Sequence, residues 1–252
     1  MNDTPATPCR YPILLLHGLF GFVERRIGPV RFTYFRNVVP RLEAAGNRVF
    51  TVAVHPTQTV EYRARQIAEF IESHPLLSQS KINLIGHSMG GVDGRYLTSR
   101  LDPKRRVASL TTIASPHRGS WLADLIGTLP LIRRPAERWM PGIRGLAEAS
   151  MARFNSELLN RPDVLYLSVS TATPLWSCTP LMWPLYALMW IHSGPNDGQV
   201  SNSSSQWGEV LENARADHFE TIGLRLGLNL LFPFDHLALF ERVTHVLAAR
   251  GL

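Results

Sequence analysis

Cysteine is nearly missing: the 252 residues contain only Cys9 and Cys178. A small disulfide-stapled scaffold needs a far denser set, so a buried core must hold this fold, and both thiols are expected to be reduced. Charge is scarce as well, at 18% of residues, against a usual share of about 25%. With 45% apolar residues, that balance excludes a disordered chain, which combines low hydrophobicity with high net charge. The net charge of +6 comes without a long basic run. Its densest clusters are Lys104-Arg105-Arg106, Arg25-Arg26 and Arg133-Arg134. No zinc-finger, basic-zipper or RNA-binding motif accompanies them, so nucleic acid is not an expected partner. The basic surface reads as solvated, with weak attraction to anionic lipid as the lesser alternative.

Long uninterrupted apolar stretches are also lacking. Residues 11–23 are broken by Pro12, His17 and glycines, and residues 174–191 by Pro174, Pro180 and Pro184. A membrane-spanning helix needs about 20 apolar residues with few breakers, so no transmembrane segment is expected. The opening MNDTPATPCRY holds an acid, two prolines and no apolar core. On that reading no secretory leader is present and a cytoplasmic location is expected.

What is present is alternation. Residues 13–16 and 49–54 form short apolar or β-branched runs, suited to strands buried on both faces. Residues 81–85, 107–114 and 164–169 repeat the pattern, while 59–72, 89–100 and 234–249 have helical spacing. Strand–helix alternation predicts a single α/β domain over residues 1–252, with an open, mostly parallel sheet and helices on both sides. Residues 119–163 do not alternate and read as a cap inserted over the sheet. A second apolar, cap-like segment covers residues 174–195.

The chemistry concentrates at Gly86-His87-Ser88-Met89-Gly90. A bare G-x-S-x-G occurs by chance, but here a strand runs into it and a helix runs out. That corner needs small residues around a serine held in a tight turn, and it aims the helix N-terminus at the hydroxyl. The bland alternative is a glycine-rich turn with a capping serine. A serine hydroxyl needs a base, and the base an orienting acid, in the chain order Ser, acid, His on this type of sheet. That order sets aside His17, His55, His74, His87, His117 and His192 as too early. His236 and His245 fall within the last helix, which leaves His218 in a loop-like stretch. For the acid, Asp197 sits in the turn Pro195-Asn196-Asp197-Gly198. Asp163 lies at the wrong end of a strand, Asp217 adjoins the histidine, and Asp235 reads as a helix cap. An oxyanion needs backbone donors, expected from Met89 and from Leu19 in the loop His17-Gly18-Leu19-Phe20-Gly21. His17 reads as a brace for that loop.

These residues carry a resemblance. The chain resembles the bacterial true lipases, triacylglycerol lipase family I of the α/β-hydrolase fold. The matching segments are YPILLLHGLFGF at 11–22, NLIGHSMGG at 83–91, TIASPHRGS at 112–120, ARFN at 152–155, NDG at 196–198 and Asp217-His218. They appear in the family's order over nearly the whole chain. The resemblance implies an α/β-hydrolase fold, with Ser88 as nucleophile, Asp197 as acid, His218 as base, and the Leu19 and Met89 amides as oxyanion hole. It also implies a lid after Gly119. These lipases usually hold a structural calcium near the histidine, through an acid about 20 residues before the catalytic Asp and another two residues after the His. Glu220 stands at the second position, but the first falls near Ser177, and no Asp or Glu occurs between Val164 and Asn196. No calcium site, and no other cofactor, is therefore expected.

Five of the six tryptophans lie between residues 119 and 195, with Met140, Met182, Met189 and Ile191. Such a cluster suits an acyl pocket or a surface that meets lipid; the alternative is cap packing. The expected activity is a serine carboxylic-ester hydrolase, most simply a lipase acting on acylglycerol-like esters and touching a lipid interface in passing. An esterase, phospholipase, thioesterase or acyltransferase would use the same triad, and a catalytically silent binding module is the remaining class.

Overall fold

The computed structural model describes residues 8–27, 30–225 and 233–252. Residues 1–7, read above for a leader, lie outside them, as do the side chains of Arg25 and Arg26.

Six strands form one parallel sheet: β1 (Ile13–Leu16), β4 (Val49–Val52), β5 (Ile82–His87), β6 (Val107–Ile113), β7 (Leu165–Thr171) and β8 (Glu209–Ala214). Their order across the sheet is β4-β1-β5-β6-β7-β8. Two further strands, β2 (Glu24–Ile27) and β3 (Val30–Thr33), make a separate antiparallel hairpin.

Side chains on a strand alternate between faces, and β1 shows what an unbroken apolar run achieves. Ile13 and Leu15 enter one core with Ile85, Ile113 and Val169, covered by α1 (Val38–Ala44) and α9 (His236–Ala249). Leu14 and Leu16 enter the opposite core with Leu84 and Leu110, covered by α2 (Val60–Ser73). All four residues of β1 are buried, so truncating one to alanine costs about 2–5 kcal/mol.

Helix α3 (Met89–Tyr96) follows β5 directly, but does not continue regularly to residue 100. Residues Leu97–Leu101 form a wider π turn, where the Thr98 hydroxyl donates 2.7 Å to the Gly94 carbonyl and competes with the helical ladder. Between β6 and β7, the interval expected to form a cap holds α4 (Trp121–Thr128), α5 (Pro130–Trp139), α6 (Pro141–Gly145) and α7 (Glu148–Glu157). A small apolar cluster joins Ala123, Leu146 and Met151 of this region to Met89 and Val92 of α3. The second apolar segment contributes α8 (Trp183–Ser193), between β7 and β8. No helix among the described residues is long and apolar enough to cross a membrane.

Candidate active site

Loops at the carboxyl ends of a parallel sheet are where such folds place their sites. The residues after β1, β5, β7 and β8 meet there. Ser88 caps α3 with φ 55° and ψ −130°, a region that non-glycine residues rarely occupy. The sharp corner demands small neighbours: a Cβ on Gly86 would stand 2.6 Å from the Gly91 backbone.

His218, in the loop after β8, places Nε2 3.0 Å from Ser88 Oγ and Nδ1 2.9 Å from Asp197 Oδ2. Asp197 is buried, and three more donors orient its carboxylate. Thr171 Oγ1 donates to Oδ2 at 2.7 Å, and the Gln199 and Val200 amides donate to Oδ1 at 2.9 and 2.8 Å. The turn that makes Asp197 look like a loop residue is thus also what aims it. Asp163 binds Arg105 and Arg161, and Asp235 caps α9 through the Ala238 amide. Asp217 turns away from the histidine ring toward Thr179.

The loop after β1 abuts Ser88 closely enough that a Cβ on Gly18 would meet Ser88 Cβ at 2.8 Å. Met89 is the first residue of α3, where the amide has no intrahelical partner. Among the described residues, neither it nor the Leu19 amide finds an acceptor. His17 Nδ1 donates to the Gly18 carbonyl at 2.9 Å, and Nε2 accepts the Val54 amide at 3.3 Å. Burial, with the nearby Arg63 cation, lowers the His17 pKa to about 4. It is a neutral brace.

Sequence reasoning missed Arg63 and Asp93, which form an ion pair at 2.8 Å with both side chains fully buried. Arg63 also donates to the His17 carbonyl at 2.6 Å and to the His55 and Gly18 carbonyls at 3.0 and 3.3 Å. It therefore ties the candidate oxyanion loop to α2. The signal was a charged residue on the buried stripe of α2, beside Val60, Ala64, Ile67 and Ile71. Burial raises the Asp93 pKa to about 6, against the pull of Arg63.

The site opens into a cavity of about 660 Å³ that reaches Ser88 and His218, with Leu19, Phe20, Phe32, Leu122, Met182 and Leu224 in its walls. Large apolar groups of α5 and α8 stand in solvent: Leu131 is 92% exposed, Ile191 84% and Trp139 69%. Trp121 instead stacks on His192, with ring centroids 5.3 Å apart.

Among the described residues, the carboxylates beside His218 are engaged by protein donors. Thr179 donates both its amide and its hydroxyl to Asp217 Oδ2, at 2.9 and 2.7 Å. Asp217 Oδ1 accepts the Phe219 and Glu220 amides, while the Glu220 oxygens accept the Asp217 and Phe234 amides. Calcium wants six to eight oxygens of its own, and here protein donors face every carboxylate oxygen. Burial also pushes the Glu220 carboxyl up from its usual range.

The pattern of the alpha/beta hydrolase fold matches residues 55–221. A triacylglycerol lipase of Vibrio cholerae is 31% identical over 98% of this chain and 90% of its own. Triacylglycerol lipase 2 of Saccharomyces cerevisiae is 33% identical over 75% of this chain and 62% of its own. Among solved structures, Staphylococcus hyicus lipase superposes with a TM-score of 0.76 at 17% identity, covering 99% of this chain and 97% of that one. A metagenomic carboxyl esterase gives 0.77 at 19% identity, covering 98% and 77%. The chain belongs to the α/β hydrolase fold family. Within it, this is a serine hydrolase of the lipase and esterase type.

Proposed function

We propose that the protein hydrolyses acylglycerol-like lipid esters through an acyl-enzyme on Ser88. His218 removes the Ser88 proton as Oγ attacks the ester carbonyl carbon. Asp197 holds the imidazole by Nδ1 and stabilises its positive form. The Leu19 and Met89 amides receive the tetrahedral oxyanion. His218 then protonates the departing alcohol, and water repeats the sequence to release the fatty acid. The observation that carries this reading is the unbroken contact Ser88–His218–Asp197, at 3.0 and 2.9 Å, at a cavity with apolar walls.

The acylglycerol substrate is supported by the relatives named triacylglycerol lipase. It is supported also by the exposed apolar groups of the cap, which suit transient contact with a lipid interface. In α5 only Ala136 is buried. Exposed Leu131 and Trp139 are interspersed there with exposed Arg133, Arg134 and Arg138, a mixture of apolar and basic groups that suits contact with an anionic lipid surface.

Hydrolysis of p-nitrophenyl esters from two to sixteen carbons, by wild type and Ser88→Ala, tests the reading. Turnover that is greatest on long chains and vanishes in the variant supports it. Greatest turnover on the shortest esters makes the protein a short-chain esterase. Turnover by Ser88→Ala removes the triad altogether.

A further inference from the structure

Between the nucleophile and the oxyanion loop lies a buried relay that the triad does not use. His87, the residue before Ser88, is 1% exposed, and its Nε2 stands 3.2 Å from the His218 carbonyl oxygen. A carbonyl can only accept, so Nε2 carries the proton and Nδ1 is left with a lone pair. Tyr34 Oη lies 2.8 Å from that Nδ1 and must donate to it. The same hydroxyl accepts the Gly18 amide at 3.0 Å. Every partner follows from the one before, and the result is a single polarised chain: Gly18 N–H to Tyr34, Tyr34 O–H to His87, His87 N–H to the His218 carbonyl. Thr221 Oγ1 adds a second donor to that carbonyl at 2.8 Å.

The two ends of the chain have different jobs. Gly18 precedes Leu19, whose amide is the expected oxyanion donor. His218 is the expected base. Both sit on loops, and the strands that launch them, β1 and β8, are not neighbours in the sheet. The sheet alone does not fix the separation between donor and base. Burial and the proximity of His218 hold the His87 pKa well below the usual histidine range, which keeps Nδ1 free to accept from Tyr34.

We infer that Tyr34 and His87 are positioning residues that set the oxyanion loop against the backbone of His218. Neither exchanges a proton with substrate. Tyr34 follows the β2–β3 hairpin and lines the cavity, so this relay also ties that hairpin to the site. The inference rests on the Ser88–His218–Asp197 reading.

The test is steady-state hydrolysis of one p-nitrophenyl ester by Tyr34→Phe, His87→Gln, His87→Leu and Tyr34→Phe/His87→Leu, with Ser88→Ala alongside and melting temperatures for all. Losing an oxyanion donor outright costs about 10²–10³ in rate. Loosening one predicts that Tyr34→Phe lowers kcat roughly 10- to 100-fold while KM stays within about threefold. His87→Leu matches it, and His87→Gln, whose amide offers one donor and one acceptor, recovers most of the loss. A relay acts as one unit, so the double variant loses about as much as the worse single variant. Three results overturn the inference: kcat for Tyr34→Phe within twofold of wild type, losses confined to KM, or losses that multiply in the double variant. Activity in Ser88→Ala is a different failure, because it overturns the triad and not the relay alone. Tyr34→Phe keeps the ring and its contacts, so its kcat decides the matter even where His87→Leu melts early.

Discussion

His218 Nε2 stands 3.0 Å from Ser88 Oγ although 130 residues separate them in the chain. Strands β6 and β7 lie between the strands that launch the two residues, so the loop after β8 must reach back across the carboxyl ends of both. The Asp197 turn meets it there: the Asp197 carbonyl accepts the His218 amide at 3.0 Å.

Replacing Asp197 tests that arrangement. Asp197→Asn keeps the shape of the turn but offers an amide where His218 Nδ1–H needs an acceptor. The imidazole then loses its orientation, and kcat is expected to fall about 10⁴-fold, with the melting temperature little changed. Stopped-assay kinetics beside a thermal melt check it; a loss under tenfold contradicts the role given to Asp197.

The buried Arg63–Asp93 pair allows loop positioning to be separated from folding. Arg63→Met strands the Asp93 carboxylate and is expected to cost about 3–5 kcal/mol. The double variant Arg63→Met/Asp93→Leu removes both charges and is expected to melt near wild type. Its kcat still falls, because the His17 and Gly18 carbonyls lose the guanidinium that holds them. A folded double variant with full activity would show that Arg63 serves the core only.

Stability is expected to fall in mild acid. His17, at about 4, and His87, His117 and His236 all lie below the usual histidine range, chiefly through burial. The unfolded chain takes up protons on these rings from about pH 6.5 downward, whereas the folded chain does so only at lower pH. Where the unfolded state binds more protons, stability rises with pH. It is therefore lost as pH drops from about 6.5 toward 4. Asp93, raised to about 6, and Glu220, also raised by burial, act the other way, but the four histidines outnumber them. The thermal midpoint should be lower at pH 4.5 than at pH 7.5; an equal or higher value contradicts this assignment.

Chelation is expected to do nothing. EDTA should leave both activity and melting temperature unchanged, while Thr179→Val, which takes a hydroxyl donor from buried Asp217, should cost about 1–3 kcal/mol. Loss of activity with EDTA, restored by calcium, would contradict the donor pattern around Asp217 and Glu220.

Much of this was legible in the residues, for reasons that also mark the limit. The unbroken apolar run of β1 announced a strand with two buried faces, and Gly86-His87-Ser88-Met89-Gly90 announced a corner between strand and helix. Strand β8 hid because it is a charged edge: Glu209 pairs with Arg250, and Glu212 with Arg242, both on or next to α9. The β2–β3 hairpin has no long alternation to betray it. At the candidate site, turn chemistry and chain order pointed to Ser88, Asp197 and His218, which the structure brings into contact. Tyr34, Arg63 and Asp93 could not, since each matters through a partner remote in sequence. His87 was set aside as too early to be the base, and the positioning role inferred for it rests on its contacts with Tyr34 and the His218 carbonyl.

Covalent labelling by a fluorophosphonate, followed by peptide mapping, tests the central claim most directly. If Ser88 is the nucleophile, one equivalent of probe lands on the peptide holding Gly86-His87-Ser88, activity is lost in step with labelling, and His218→Ala takes up probe far more slowly. Labelling at another serine, or full activity with Ser88 modified, would contradict it.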